Sequence, residues 1–207
     1  NAYRYVRQAI ESQNLLQSGW NYKSASAKIT LSFYVRSSVA QNFYGYLRLN
    51  DSPDSKYVFE TGSLTADTWT KVTKVIPGYT SANFDNDNAS GMRVLLAPFW
   101  GTDFTASGVA LNTWAAWNGG ERAPDYPTTW AGTNGATFDI TGVQLEVGEV
   151  ATDFEHRSYG AELLRCQRYY QEISRTSSAN SIAGKFAAGT GNDNGGSGGI
   201  LQVMVRF

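Results

Sequence analysis

The sequence predicts an all-β protein, a jelly-roll β-sandwich followed by a short helix and the start of a small β domain. Hydrophobic and polar residues alternate with period two over several short runs. Clusters of Gly, Pro, Asn and Asp separate those runs. Aromatic residues reach 14% while charged residues stay at 17%, a balance suited to strands joined by tight polar turns. The 207 residues, 42% of them hydrophobic, can bury one substantial core and a small appended unit. The expected divisions are 1–157 for the sandwich, 158–170 for a helical connector and 171–207 for the beginning of a C-terminal β domain that stops in mid-strand.

Tyr3 to Ile10 is expected as a strand with two different faces, Tyr5, Arg7 and Ala9 on one and Val6, Gln8 and Ile10 on the other. Lys28 to Arg36 carries the strongest alternation, with Ile29, Leu31, Phe33 and Val35 directed to a core. Further strands are expected at Phe43–Leu49, Lys56–Thr61, Trp69–Ile76, Met92–Ala97 and Thr137–Val147. Asn50 to Asp54, Pro77-Gly78 and Asp85 to Gly91 supply the turns. Gly142 breaks the alternation between Ile140 and Val143, which predicts a bulge. Ser158 to Tyr170 is the expected helix, capped by Ser158 with Leu163, Cys166 and Tyr170 on one face. The glycine-rich run Gly189–Gly199 cannot pack a core and reads as a loop between runs 181–188 and 200–207.

Seventeen basic and eighteen acidic residues give a net charge of −1, and no segment gathers the basic ones, so nucleic-acid binding is not expected. The single cysteine, Cys166, excludes an intramolecular disulfide and a cysteine zinc cluster. No apolar run is long enough to cross a bilayer, the longest resembling Val94–Trp100, so membrane insertion is not expected.

Candidate chemistry is sparse. His156, the only histidine, lacks a second imidazole for a metal site and reads as a hydrogen-bonded residue of a joint. Gly195-Gly196-Ser197-Gly198-Gly199 matches a nucleophile elbow in letters, without the strand and helix the motif needs. Glu121 with Asp125, and Asp51 with Asp54, are carboxylate pairs of the kind glycosidases use, but they fall in turns where Asp bonds its own backbone. Asp85-Asn86-Asp87-Asn88 offers oxygen ligands, yet Leu96 stands where an EF-hand requires Glu. No catalytic residue and no cofactor are expected.

The segment Trp100–Trp130 is dense in aromatics interleaved with polar residues. Sugar rings stack C–H faces on aromatics and bond through hydroxyls, so a carbohydrate site is expected at Trp117, Tyr126 and Trp130, with Asn118 and Arg122 as polar partners. The alternative is that these rings are core contacts or contacts between chains. Trp69, opening an alternating strand, and Trp114 are expected to pack.

The segment ATFDITGVQLEVGEVATDFEHRSYGAELLRCQRYY, ending at Tyr170, resembles a stretch found in bacteriophage tail fibre and tail spike proteins that carry a carbohydrate-binding-module-like jelly roll. IESQNL from Ile10, SASAKITLSFYVRSS from Ser24, DTWTKVTKVIPG from Asp67 and DNASGMRV from Asp87 are similar to that family in order and spacing. Trp114 also falls where the family has tryptophan. The resemblance implies a virion structural protein of the tail fibre, assembled as a homotrimer with other tail proteins and touching host surface polysaccharide. A structural calcium belongs to what such jelly rolls often hold. An accessory carbohydrate-binding module of a polysaccharide depolymerase, or a fibre spacer without ligand, are the alternatives.

Overall fold

The computed structural model describes residues 2–127 and 129–167. They belong to two compact units, the first ending at Phe154, short of the boundary expected at 157, and the second beginning at Glu155. The expectations for 168–207, including the end of the helix, the glycine-rich loop and the C-terminal β domain, lie outside the described residues.

The first unit is a two-sheet antiparallel sandwich. Its strands are β1 (Tyr3–Glu11), β2 (Lys28–Ser37), β3 (Asn42–Leu49), β4 (Ser55–Ser63), β5 (Thr70–Pro77), β6 (Ser90–Trp100), β7 (Trp114–Ala116) and β8 (Phe138–Val147), with short helices α1 (Ser12–Gln17) and α2 (Thr129–Gly132). One sheet has the order β1-β6-β3-β4-β7 and the other β5-β2-β8. The all-β sandwich is as expected. The jelly-roll winding is not established by this strand order, in which β3 and β4 form a hairpin within one sheet.

The alternation of β2 places Ile29, Leu31, Phe33 and Val35 in the core, each at most 3% exposed. They meet Phe43, Leu47, Leu49, Phe59 and Met92 of the larger sheet in one hydrophobic cluster. Full burial of such a side chain contributes about 1.5–3 kcal/mol, which makes this interface the main source of stability. Gly45 lets β3 pass beneath Phe59. A Cβ there would come within 2.5 Å of the Phe59 ring and 2.7 Å of the Leu95 carbonyl oxygen, closer than packed atoms allow.

The expected bulge is present in β8. Ser32 pairs with Gln144 and Tyr34 with Thr141, so the register shifts between them, and Gly142 takes φ +60°. That left-handed conformation suits glycine. Trp69 departs from expectation: it precedes β5 and is 44% exposed, with the Arg36 guanidinium 5.1 Å from its ring. Trp114 packs as expected, stacked on Tyr79 and donating its Nε1–H to the Pro77 carbonyl at 2.8 Å.

In the second unit α3 spans Tyr159–Gln167. The Ser158 carbonyl accepts from the Glu162 N–H at 3.1 Å. Leu163 and Cys166, expected on one face of this helix, are both exposed.

Candidate functional site

After β6 the chain leaves the sheet, and residues 101–127, apart from the edge strand β7 that pairs with β4, return across the outer face of the five-stranded sheet. This flap is tied to itself by the Arg122 N–H to the Phe104 carbonyl at 2.8 Å and by a bridge between Thr105 and Ala123. It is tied to the sheet by the Trp117 N–H to the Asp54 carbonyl at 3.0 Å and by the Lys56 ammonium to the Glu121 carbonyl. Beneath it Tyr46, Val58, Leu95, Ala97, Trp100 and Ala123 form a second apolar cluster, with Phe104, Trp117 and Tyr126 packed on it. The aromatic density of 100–126 therefore serves first to cover a sheet face.

Tyr126 holds the flap. Its hydroxyl accepts from the Tyr44 N–H at 3.0 Å, and its O–H is shared between the carbonyls of Ala97 at 2.7 Å and Tyr44 at 3.1 Å. Burial pushes its pKa far above the ordinary tyrosine value. Its hydroxyl is spent on the fold, so the residue expected to meet a sugar serves here to hold the flap. Trp130 lies elsewhere, in α2. It packs edge-on to Phe43 and Phe138 at 6.4 Å and donates Nε1–H to the Thr137 carbonyl at 3.0 Å. It belongs to the rim of the main core and not to a site shared with Trp117. Asn118 is exposed and makes a turn, its Oδ1 accepting from the Gly120 N–H at 3.0 Å.

Trp117 and Arg122 do come together, and they line a groove with residues of three strands. A cavity of about 170 Å³ is bounded by Tyr5 and Arg7 of β1, Tyr46 and Arg48 of β3, and Arg93 and Leu95 of β6, closed by the flap's Trp117 and Arg122. Two of the arginines are held by rings. The Arg48 guanidinium lies 3.9 Å from the Trp117 centroid. That of Arg122 lies 4.3 Å from Phe104 and 4.8 Å from Trp100. Trp117 therefore supports cations, where the sequence suggested a platform for sugar.

The register makes the charge pattern unusual. On the outer face Arg93 stands directly opposite Arg48, and Arg48 directly opposite Lys56. Like charges in that relation destabilise a sheet. Burial, followed by the neighbouring Arg7 and Arg48 guanidiniums, pulls the Arg93 pKa below its ordinary value. Among the described residues Asp54 is the one carboxylate paired with any of the four groove arginines, held by Arg48 through Nε at 2.9 Å and through Nη2. Burial also lowers the Lys56 pKa and raises that of Tyr46 to about 12.

No segment of the chain gathers the basic residues, but this face does. Arg7, Arg48, Arg93 and Arg122 are distant along the chain and converge only through strand order. The outward alternation of β1 did place Tyr5 and Arg7 on one face, which was the available signal.

The nominated carboxylates have structural partners. Asp51 accepts from the Ser12 hydroxyl at 2.8 Å and the Asp85 N–H at 3.1 Å, and Asp125 accepts from the Thr105 hydroxyl at 2.8 Å. Asp87 caps the Ala89 N–H at 3.0 Å. His156 is exposed beside Glu155 and Arg157, which pair at 3.0 Å. Among the described residues no three His, Cys, Asp or Glu side chains are grouped to hold a metal ion, and no helix is long and apolar enough to cross a membrane. Comparison with protein-family models, with curated proteins and with solved structures gives no match.

Proposed function

We propose that the chain is a non-catalytic binding module, part of a phage tail fibre or tail spike in the virion, which meets host surface polysaccharide through the groove on the outer face of its five-stranded sheet. The observation that carries this reading is the groove itself. Side chains from β1, β3, β6 and the flap converge on one concave site, placed on a sheet and locked by hydrogen bonds of the flap. A rigid scaffold carrying a loop-closed site is the usual build of a binding face. The carboxylates nearest to it bind neighbours in the fold, which favours adhesion over hydrolysis.

The phage assignment rests on the resemblance of the segments ending at CQRYY and DNASGMRV, and with it come the homotrimer and the other tail proteins as partners. A trimer would present three grooves, so weak single-site contacts would gain strength through avidity. The test is a glycan array probed with the protein beside its Trp117→Ala variant, with sedimentation velocity of both. Expected are a trimer, binding to a defined group of glycans, and loss of that binding in the variant without change in assembly. A blank array for the trimer overturns the reading.

A further inference from the structure

We propose that the groove lined by Arg7, Arg48, Arg93 and Arg122 receives the anionic group, carboxylate or phosphate, of an acidic glycan. This deepens the reading of the module as a glycan binder and rests on it.

The sheet carries an electrostatic cost on this face. Arg93 and Arg48 occupy directly paired positions, Lys56 continues the row, and Arg7 stands in the next row opposite Leu95. An acidic residue in place of Arg93, Arg48 or Lys56 would turn a repulsive cross-strand pair into an attractive one. Asp54 answers one cation of the four. An anion arriving in the cavity would neutralise the remainder, so the repulsion stored in the empty face becomes attraction for a ligand.

In Arg93 the Nε is anchored on the Ser90 hydroxyl at 3.3 Å, and in Arg122 on the Gly119 carbonyl at 2.9 Å. Their terminal nitrogens have no bonded partner among the described residues, nor has any nitrogen of Arg7. Arg48 keeps Nη1 beyond its two bonds to Asp54. Arg122, fixed at Nε and braced against Trp100 and Phe104, Arg48, held by Asp54 and braced against Trp117, and Arg93, fixed at Nε, have lost conformational freedom in advance, leaving fork-shaped donors that fit planar carboxylate or phosphate oxygens. Tyr5, Tyr46 and Leu95 complete the lining and offer apolar surface beside the charges for the C–H edge of a sugar.

Size separates a glycan from a nucleic acid. A cavity of about 170 Å³ takes one charged group with part of its ring, whereas a nucleic-acid groove must neutralise a succession of phosphates. The net charge of −1 gives no long-range attraction to a polyanion beyond this one site.

The experiment is calorimetric titration of the full chain with four probes: polygalacturonate, the same polymer after carboxyl reduction, a phosphate-substituted mannan, and a single-stranded DNA oligonucleotide. Expected is binding to polygalacturonate or to the phosphomannan, which also tells carboxylate from phosphate, weakening about 10-fold or more between low and high salt. The carboxyl-reduced polymer should not bind. Arg7→Gln with Arg93→Gln should weaken binding at least about 10-fold, the equivalent of one lost charge-assisted pair. Arg7→Gln alone, at an exposed position without a bonded partner, gives the same direction of change should the double variant not fold. Equal binding of the carboxyl-reduced polymer overturns the anionic assignment and leaves glycan binding standing. Preference for the oligonucleotide, or no binding of either acidic polymer, overturns it as well.

Discussion

The two sheets of the sandwich turn outer faces of opposite electrostatic design to their surroundings. On the three-stranded sheet, cross-strand neighbours are matched: Arg36 stands opposite Asp139 and bonds it at 3.0 Å, and Tyr34 stands opposite Lys71, whose ammonium lies 6.0 Å from its ring. The chain after β8 returns across this face by bonds of the Thr30 hydroxyl to the Gly148 carbonyl at 2.7 Å and of the Thr152 N–H to Glu146 at 3.1 Å. On the five-stranded sheet, Arg93, Arg48 and Lys56 stand side by side in register under a flap of aromatic residues. Both faces come from the same alternation and both are crossed by a returning segment. The difference is that one resolves its charges internally and the other does not, and the proposed binding surface is the second.

The largest effect separating the faces should come from the residue that locks the flap. Tyr126→Phe removes the hydroxyl shared by Tyr44 and Ala97 and leaves buried backbone groups unpaired, at a cost of about 1–3 kcal/mol. Tyr34→Phe on the opposite face should stay within about 0.5 kcal/mol. Urea unfolding of both variants measures the contrast, and equal effects would break it.

Alkaline unfolding gives a second test of the same cover. Tyr46 ionises in the unfolded chain near 10 but in the folded chain only at about 12, because burial disfavours the phenolate. A raised folded-state pKa means the stabilisation is complete below pH 10 and is lost as pH rises towards 12, on the order of 2 kcal/mol. Denaturant midpoints between pH 9 and 12, followed with tyrosinate absorbance, should fall in that window in the native protein and less steeply in Tyr46→Phe.

The smallest effect bears on the charges themselves. Arg93→Gln relieves a like-charge pair and should leave stability unchanged or raise it by about 0.2–1 kcal/mol. Arg36→Gln removes a half-exposed ion pair and should lower stability by at most about 1 kcal/mol. Thermal melts at low salt, repeated at high salt where both changes should shrink, read the opposite signs. The same sign for both would deny the difference in design.

Much of this fold was legible in the sequence because local alternation and burial coincide. Ile29, Leu31, Phe33 and Val35 face the core as their spacing requires, and Gly142 bends β8 where it interrupts the pattern. The three residues of β7 were not legible, since Trp114–Ala116 become a strand only by lying beside β4. α1 likewise begins without a side-chain cap to announce it. In the site, aromatic density pointed to Trp117 and Arg122, but it could not distinguish a ring that closes a sheet face, as Tyr126 does, from one at the rim of the core, as Trp130 is. Arg7, Arg48 and Arg93 were invisible because their meeting is a property of strand order, which no local pattern encodes.

Binding of an acidic sugar in the arginine groove is tested most directly by NMR of arginine Nε–H and tryptophan Nε1–H signals as a galacturonic acid oligosaccharide is added. Shifts are expected at Arg7, Arg48, Arg93, Arg122 and Trp117 that saturate together, with Arg36, Trp69 and Trp130 unmoved. Shifts centred on Arg36 and Trp69, or on Trp130, would contradict it.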